Sequence, residues 1–417
     1  MRSDLVAEIN TDHLAHNCRV IRSLLRPTTG ICAVVKADAY AHGLKIVAPA
    51  LQDAGVDCAA VATLQEALEL RSIGWRLPIL VLGGALAVAS ERERRERLRA
   101  ALKYDLMLTI ADLDTVKVIA RMNPSGPIDV HLKVDTGMGR MGVLPEQVSQ
   151  AVEAIGSSRV LRLTGIYSHF ATADMDNDSL ALQQCETFRA VLADLGERLP
   201  PGAVRHMANS AATLTRPDAH FDMVRTGLLM YGLVPAEHLD RGIDLKPALR
   251  LTSHLTSVKD IPPGHCVGYG KTFVTKRRTR LGVVPIGYFD GYLRSLSNKA
   301  VVGTSAGDAP VVGRVSMDSL ALDLTDLPPL QPGAAVTLID DEPGRPNSVP
   351  ALARLMDTVP YEALCVLGNR IERVAISRGA GLGKVSPAIA EPAAASSGSK
   401  PPVAPAPTRR TPRSVGA

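Results

Sequence analysis

Residues 33–43 read AVVKADAYAHG, an apolar run closed by a lysine, with a tyrosine four residues further on. Ile31, Ala33, Val34 and Val35 have the character of a strand buried on both faces, where an ammonium is costly unless something uses or neutralises it. The same design recurs downstream. CAAVA (58–62), PILVLG (78–83), DLMLTI (105–110), DVHLKVD (129–135), LTGIYSHF (163–170), HMAN (206–209) and a run near 222–232 are short apolar segments separated by stretches of helical periodicity. About eight such units predict a (β/α)8 barrel rather than a doubly wound sheet. Lys36, Lys133, His169, Asn209 and Arg225 stand at strand ends, and a barrel gathers its chemistry where the carboxyl ends of its strands meet.

After Pro247 the pattern changes to short β-rich segments divided by Pro and Gly, which predicts a mostly β second domain. The expected organisation is a strand within 1–10 associated with that β domain, the barrel over 11–244, the β domain over 245–385, and a Pro/Ala/Ser-rich disordered tail over 386–417. The charged run ERERRERLRAALKYD (91–105) alternates Glu with Arg at i,i+4 spacing and reads as a barrel helix facing water.

Composition excludes several function classes. Forty-seven basic against forty-two acidic side chains leave a formal charge of +5 on 417 residues, with no zinc-finger spacing or long basic helix to recognise nucleic acid. No apolar run approaches a membrane span, and the start is too polar for a signal peptide, so cytoplasm is the expected compartment. The six cysteines form no CxxC pair and are expected to be buried thiols; no metal site is expected.

An amine at a strand end can form an imine with a carbonyl compound, and burial lowers its pKa toward the working range. A lone lysine there is more often a surface residue that extends its stem along apolar neighbours, so the reading depends on other segments. HLKVDTGMGRMG (131–142) offers Lys133, Asp135 and a glycine-rich turn presenting Arg140; YSHFATAD (167–174) offers His169. HMANSAATL (206–214) places Asn209 and Ser210 at a helix start, as caps or as anion donors, and MVRTGLLMYGL (223–233) adds Arg225 with amides at Gly227 and Leu228. One lysine, two arginines and two phosphate-type turns on one face suit a phosphorylated carbonyl compound such as pyridoxal 5'-phosphate.

With CVGYGKTF (266–273), VPIGYFDGY (284–292), GRVSMD (313–318) and PYEAL (360–364) following in order, the chain resembles the alanine racemases from about residue 7 to 380. The resemblance implies a barrel plus β domain, head-to-tail homodimers with composite active sites, and interconversion of L- and D-alanine for peptidoglycan synthesis. It makes Lys36 the Schiff-base lysine and D-face base, and Tyr269 of the partner subunit the L-face base. It sets Tyr40, Ser210, Gly227, Leu228 and Tyr361 on the phosphate, Arg225 on the pyridine nitrogen, and Arg140 with the amide of the partner subunit's Met317 on the substrate carboxylate. His169 supports the tyrosine, Lys133 matches a position often carbamylated, and Asn209 and Asp318 have supporting places. Ala41 departs from the family's usual glycine and Ser316 from a frequent cysteine; strictness for alanine over serine is left open. A decarboxylase on the same plan is expected to face the pyridine nitrogen with a carboxylate where this chain has Arg225. A cofactor-binding protein of the barrel-only kind lacks the second domain.

Overall fold

The computed structural model describes residues 4–377, so the expected tail over 386–417 lies outside the described residues. Strand β1 (Val6–Asn10) precedes the barrel. The barrel itself is β2 (Gly30–Val34), β3 (Cys58–Val61), β4 (Ile79–Val81), β5 (Leu106–Ile110), β6 (Ile128–Lys133), β7 (Leu161–Tyr167), β8 (Val204–His206) and β9 (Met223–Thr226). It is closed, each strand running parallel to the next and β9 returning to β2. The (β/α)8 architecture is therefore as the segment count predicts. Because helices cover its outside and side chains fill its inside, most barrel-strand residues are buried, which is why these strands read as apolar runs rather than as alternation.

Several strands end earlier than their apolar runs. Lys36 lies two residues beyond β2 and opens a turn in which Ala37, Asp38, Ala39, Tyr40 and Ala41 have φ of 53, 51, 55, 55 and 61°. Left-handed backbone costs an L-residue about 1–2 kcal/mol, so this run persists only because its surroundings hold it. Glu66 Oε1 accepts the Ala37 N–H at 2.8 Å, Asp38 Oδ1 accepts the Leu44 N–H at 2.6 Å, and Arg373 Nε donates to the Ala41 carbonyl at 3.1 Å.

Outer helices start at caps legible in the sequence. Thr63 and Glu66 form a reciprocal capping box on Leu64–Ser72, and Asp112 caps Leu113–Met122. On Glu91–Lys103 the i,i+4 pairs Arg95–Glu91 and Arg97–Glu93 close at 2.7 Å, and only Leu98 and Ala101 are buried, as expected of a solvated barrel helix.

The second region has β10 (Leu249–His254), β11 (Ser257–Ile261), β12 (Thr279–Val284), β13 (Val301–Thr304), β14 (Gly307–Pro310), β15 (Leu320–Asp323), β16 (Ala335–Ile339) and β17 (Glu372–Ile376). Its six-stranded sheet runs β14-β13-β16-β10-β1-β17, and β11-β12-β15 form a separate sheet. β1 sits antiparallel to β10 and parallel to β17 before the chain enters the barrel. Buried Asn17 secures the junction: its Nδ2 donates to Met230 and Lys246 carbonyls at 3.1 and 2.8 Å, and its Oδ1 accepts the Lys246 N–H at 2.8 Å. Two helices, Val349–Met356 and Pro360–Cys365, interrupt the β pattern, and the second brings Tyr361 and Cys365 to the barrel mouth.

The expectation of six buried thiols needs correction. Cys18, Cys32, Cys58 and Cys185 are buried, but Cys266, in the loop ahead of Tyr269, and Cys365, at the cavity, are exposed.

Candidate active site

At the carboxyl ends of the barrel strands opens a cavity of about 540 Å³. Lys36, Tyr40, Lys133, Arg140, His169, Asn209, Ser210, Arg225, Gly227 and Tyr361 all line it. They arrive from the left-handed turn after β2, from β6 and its glycine loop, from the ends of β7, β8 and β9, and from the helix Pro360–Cys365. Four cationic side chains share the cavity with one lining carboxylate, Asp174, so the site calls for an anionic ligand.

The lysines are tuned by position. Burial, then the Arg140 charge, lowers the pKa of Lys36. Burial, then Arg140 and Arg225, brings Lys133 down to about 8, which leaves a useful neutral fraction of amine near neutrality. Lys133 Nζ also sits 5.8 Å from the centre of the Tyr167 ring, and the Arg225 guanidinium 5.1 Å from it. That ring forms the floor of the cavity, with its hydroxyl tied to Thr109 Oγ1 at 2.9 Å.

Asp135 does not join the lining. β6 ends at Lys133, and the Asp135 carboxylate turns back to accept the N–H groups of Gly137, Met138 and Gly139 at 3.0, 2.8 and 3.1 Å. Burial raises its pKa, but these three donors outweigh burial and hold it below the usual range. Its work is to shape the loop that carries Arg140.

Arg225 is buried and anchored by several contacts. Its Nη1 donates to His206 Nδ1 at 2.8 Å; its Nη2 reaches the Ser168 and Met207 carbonyls at 2.8 and 3.0 Å and His169 Nδ1 at 3.0 Å. A guanidinium only donates, so His206 and His169 must both accept through Nδ1 and carry their protons on Nε2. His206 Nε2 then donates to His131 Nδ1 at 2.8 Å. Burial followed by the Arg225 charge holds His169 and His206 well below the ordinary histidine value, and burial brings His131 to about 4, so the three rings are neutral. His131 and His206 were missed as site residues from sequence, although they open the segments HLKVDTG and HMAN; nothing in a linear run shows two strands linking their imidazoles into a chain that ends on Arg225.

Ser210, Gly227, Tyr40 and Tyr361 form a small polar cradle. The Gly227 N–H donates to Ser210 Oγ at 3.0 Å, and a Cβ on Gly227 would lie only 2.5 Å from Tyr40 Oη. Tyr40 and Tyr361 rings tilt together with centroids 6.0 Å apart. Asn209 caps the helix Ser210–Thr215 through the Ala212 N–H at 3.0 Å and faces the cavity as well. Leu228 is buried behind Gly227 and does not line the cavity.

Tyr269, Met317 and Asp318 are not brought to this cavity by their own chain. Tyr269 is 72% exposed and Met317 50% exposed, both on the β domain. The Met317 loop is braced by the turn 287–290: Phe289 N–H donates to the Met317 carbonyl at 3.2 Å, and Arg370 joins buried Asp290 to Asp318 at 2.7 Å each.

The fold and this cavity define a barrel enzyme whose strand ends gather four cationic side chains, a lysine amine among them, in one cavity. Residues 9–235 match the family Alanine racemase, N-terminal domain, and residues 248–375 match Alanine racemase, C-terminal domain. An alanine racemase of Synechocystis sp. is 39% identical over 371 residues, covering 88% of this chain and 98% of the relative. Among solved structures, the alanine racemase from E. faecalis superposes with a TM-score of 0.82 at 37% identity, covering 90% of this chain and 98% of that one. The Bacillus anthracis alanine racemase with bound L-Ala-P gives 0.82 at 32% identity, over 91% and 96% of the two chains. The chain belongs to the alanine racemase family, and its activity is that of an amino-acid racemase, an isomerase. Among the described residues, no helix is long and apolar enough to cross a membrane.

Proposed function

We propose that this chain interconverts L- and D-alanine in the cytoplasm with pyridoxal 5'-phosphate seated at Lys36, as a homodimer whose cavities are completed by the partner subunit's Tyr269 and the partner subunit's Met317. The D-alanine formed would supply peptidoglycan synthesis. The observation that carries the reading is the convergence of Lys36, Arg140 and Arg225 with the Ser210–Gly227–Tyr40–Tyr361 cradle in one cavity. The hydroxyls of Tyr40, Ser210 and Tyr361 line the cavity beside Gly227, where a Cβ would stand 2.5 Å from Tyr40 Oη, and such a cluster of small polar donors suits the oxygens of a phosphate. When bound, the cofactor supplies an electron sink that acidifies the Cα–H of an amino acid joined to it.

Lys36 anchors that group and, its pKa lowered, takes or returns a proton at Nζ on one face of the substrate. Arg140 holds the substrate carboxylate, helped by the backbone amide of the partner subunit's Met317. A carbamate on Lys133, whose neutral amine is accessible near neutrality, would turn a repelling charge beside Arg140 into an attractive one. His169, locked as an Nε2 donor by Arg225, can offer that proton to the oxygen of the partner subunit's Tyr269 and so favour its proton-accepting form on the opposite face. Two bases on opposite faces let a proton leave one side and return on the other without either group swinging across.

Arg225 would face the pyridine nitrogen. Burial lowers its pKa, yet a guanidinium remains a far weaker acid than a pyridinium, so it keeps its protons. That choice limits the electron sink and discourages side reactions, the opposite of what a carboxylate there would do. Tyr269 is exposed and does not line the cavity of its own chain, which supports the shared site.

Borohydride reduction with peptide mapping, together with chiral analysis of products from L-alanine, tests the proposal. Labelled Lys36 and D-alanine are expected. Mixing Lys36→Ala with Tyr269→Phe chains should restore activity, because one of the two mixed cavities then has both bases; no recovery would remove the shared site.

A further inference from the structure

Beside the main cavity lies a second one of about 290 Å³, walled by Ala85, Leu86, Leu108, Ile110, Ala111 and Ile119. The polar groups at its edge are already engaged. Thr109 Oγ1 donates to the Val81 carbonyl at 2.8 Å and meets Tyr167 Oη, and Asp112 spends its carboxylate on the N–H and hydroxyl of Thr115 at 2.6 and 2.9 Å. With none of its lining side chains carrying an unpartnered buried polar atom, the pocket suits a small aliphatic group.

Met141 lines both cavities, and Gly83 and Gly84 divide them along the backbone, Gly83 facing the main cavity and Gly84 the apolar one. A Cβ on Gly84 would stand 4.0 Å from Met141 Cε, so the thioether reaches across to that backbone and completes the wall. Gly83 has no room for a side chain, because a Cβ there would meet the Ala62 carbonyl oxygen at 2.4 Å. With glycines on the backbone side, the side chain in the partition is the unbranched, flexible one of Met141, next in sequence to Arg140 of the main cavity.

We propose that Met141 determines substrate side-chain size by closing this apolar pocket, and that removing it admits unbranched aliphatic amino acids longer than alanine. The inference rests on the racemase reading of the main cavity. Arg140 holding a carboxylate places the remaining substituents of an amino acid near the neighbouring wall, and an opened wall gives a longer side chain apolar surface to bury. Each buried methylene is worth about fourfold in kcat/KM, so the two extra methylenes of norvaline predict a gain of about tenfold or more.

The test compares wild type, Met141→Ala, Met141→Val and the double variant Met141→Ala/Ala111→Phe, following D-product from L-alanine and L-norvaline by chiral chromatography. Shortening Met141 should raise the norvaline-to-alanine ratio of kcat/KM at least tenfold in Met141→Ala and in the same direction in Met141→Val. Filling the pocket with Ala111→Phe should return the ratio to within about threefold of wild type. An unchanged ratio in both single variants, or a gain that survives Ala111→Phe, overturns the role of Met141 and its pocket. A wild type inactive on L-alanine would instead overturn the underlying reading.

Discussion

Arg225 Nη2 stands 3.0 Å from Nδ1 of His169, and this one contact fixes which nitrogen of the histidine carries its proton. Because the guanidinium cannot accept, the imidazole is left with an Nε2 donor, held neutral by burial and by the arginine's charge. Replacing His169 with Ala removes that donor while leaving Lys36 in place. We expect kcat/KM in the L-to-D direction to fall about ten- to hundredfold, the worth of a lost hydrogen bond to a charged group. The deuterium isotope effect should rise more for α-deuterated L-alanine than for the D enantiomer. Equal isotope effects in both directions would detach His169 from the tyrosine face.

Lys133 makes a stability prediction with a definite sign. Its pKa falls to about 8 from an ordinary 10.5, so folding disfavours its charged form and the unfolded chain binds more protons between those values. Its effect on stability is therefore unfavourable at pH 7 and fades as pH rises from about 8 to about 10.5. In buffer free of carbon dioxide, Lys133→Met should be more stable than wild type at pH 7 by about 1–3 kcal/mol. The gap should close at alkaline pH; chemical denaturation across the pH range measures it, and a constant gap would remove the linkage.

Gly227→Ala inserts a methyl 2.5 Å from Tyr40 Oη and 2.9 Å from its Cζ, and the tyrosine must move. Affinity for pyridoxal 5'-phosphate should drop at least tenfold, as expected when a charge-assisted hydrogen bond in the cradle is lost. Absorbance titration of the chain stripped of cofactor reads this directly. Undiminished affinity would take the Tyr40–Gly227 contact out of the cradle.

Ala41 ends the left-handed run at φ 61°, ψ 14°, where a Cβ is penalised. Ala41→Gly should raise stability by about 0.5–1 kcal/mol, the relief of left-handed strain less the added freedom of glycine when unfolded. A lower unfolding midpoint would mean that the Ala41 methyl contributes more by packing than it costs in strain.

Much of the fold was legible along the chain because parallel strands covered on both faces have to be apolar runs. Eight of them with helical periodicity between leave few arrangements besides a closed barrel. Caps such as Thr63 with Glu66 were equally local. The site was legible in part: strand-end lysines, arginines and histidine stand out against apolar flanks, and ten of the expected residues line one cavity. Asp135 was misplaced because its partners are amides of its own loop, a choice made by backbone path rather than by residue type.

What the sequence determined by itself is the set of elements and the chemical kinds of group at their ends, since these follow from periodicity and short-range chemistry. Tertiary structure decided how those groups are tuned. Closing the barrel brings β6, β7, β8 and β9 side by side, so that His206 and His169 meet Arg225, His131 meets His206, and all three lose any choice of tautomer. It also holds five residues after Lys36 in a conformation they would not adopt alone, through Glu66 and Arg373 from distant parts of the chain. Proton positions, lowered lysine pKa values and strained turns depend on burial and on neighbours remote in sequence, and those exist only once the chain has folded.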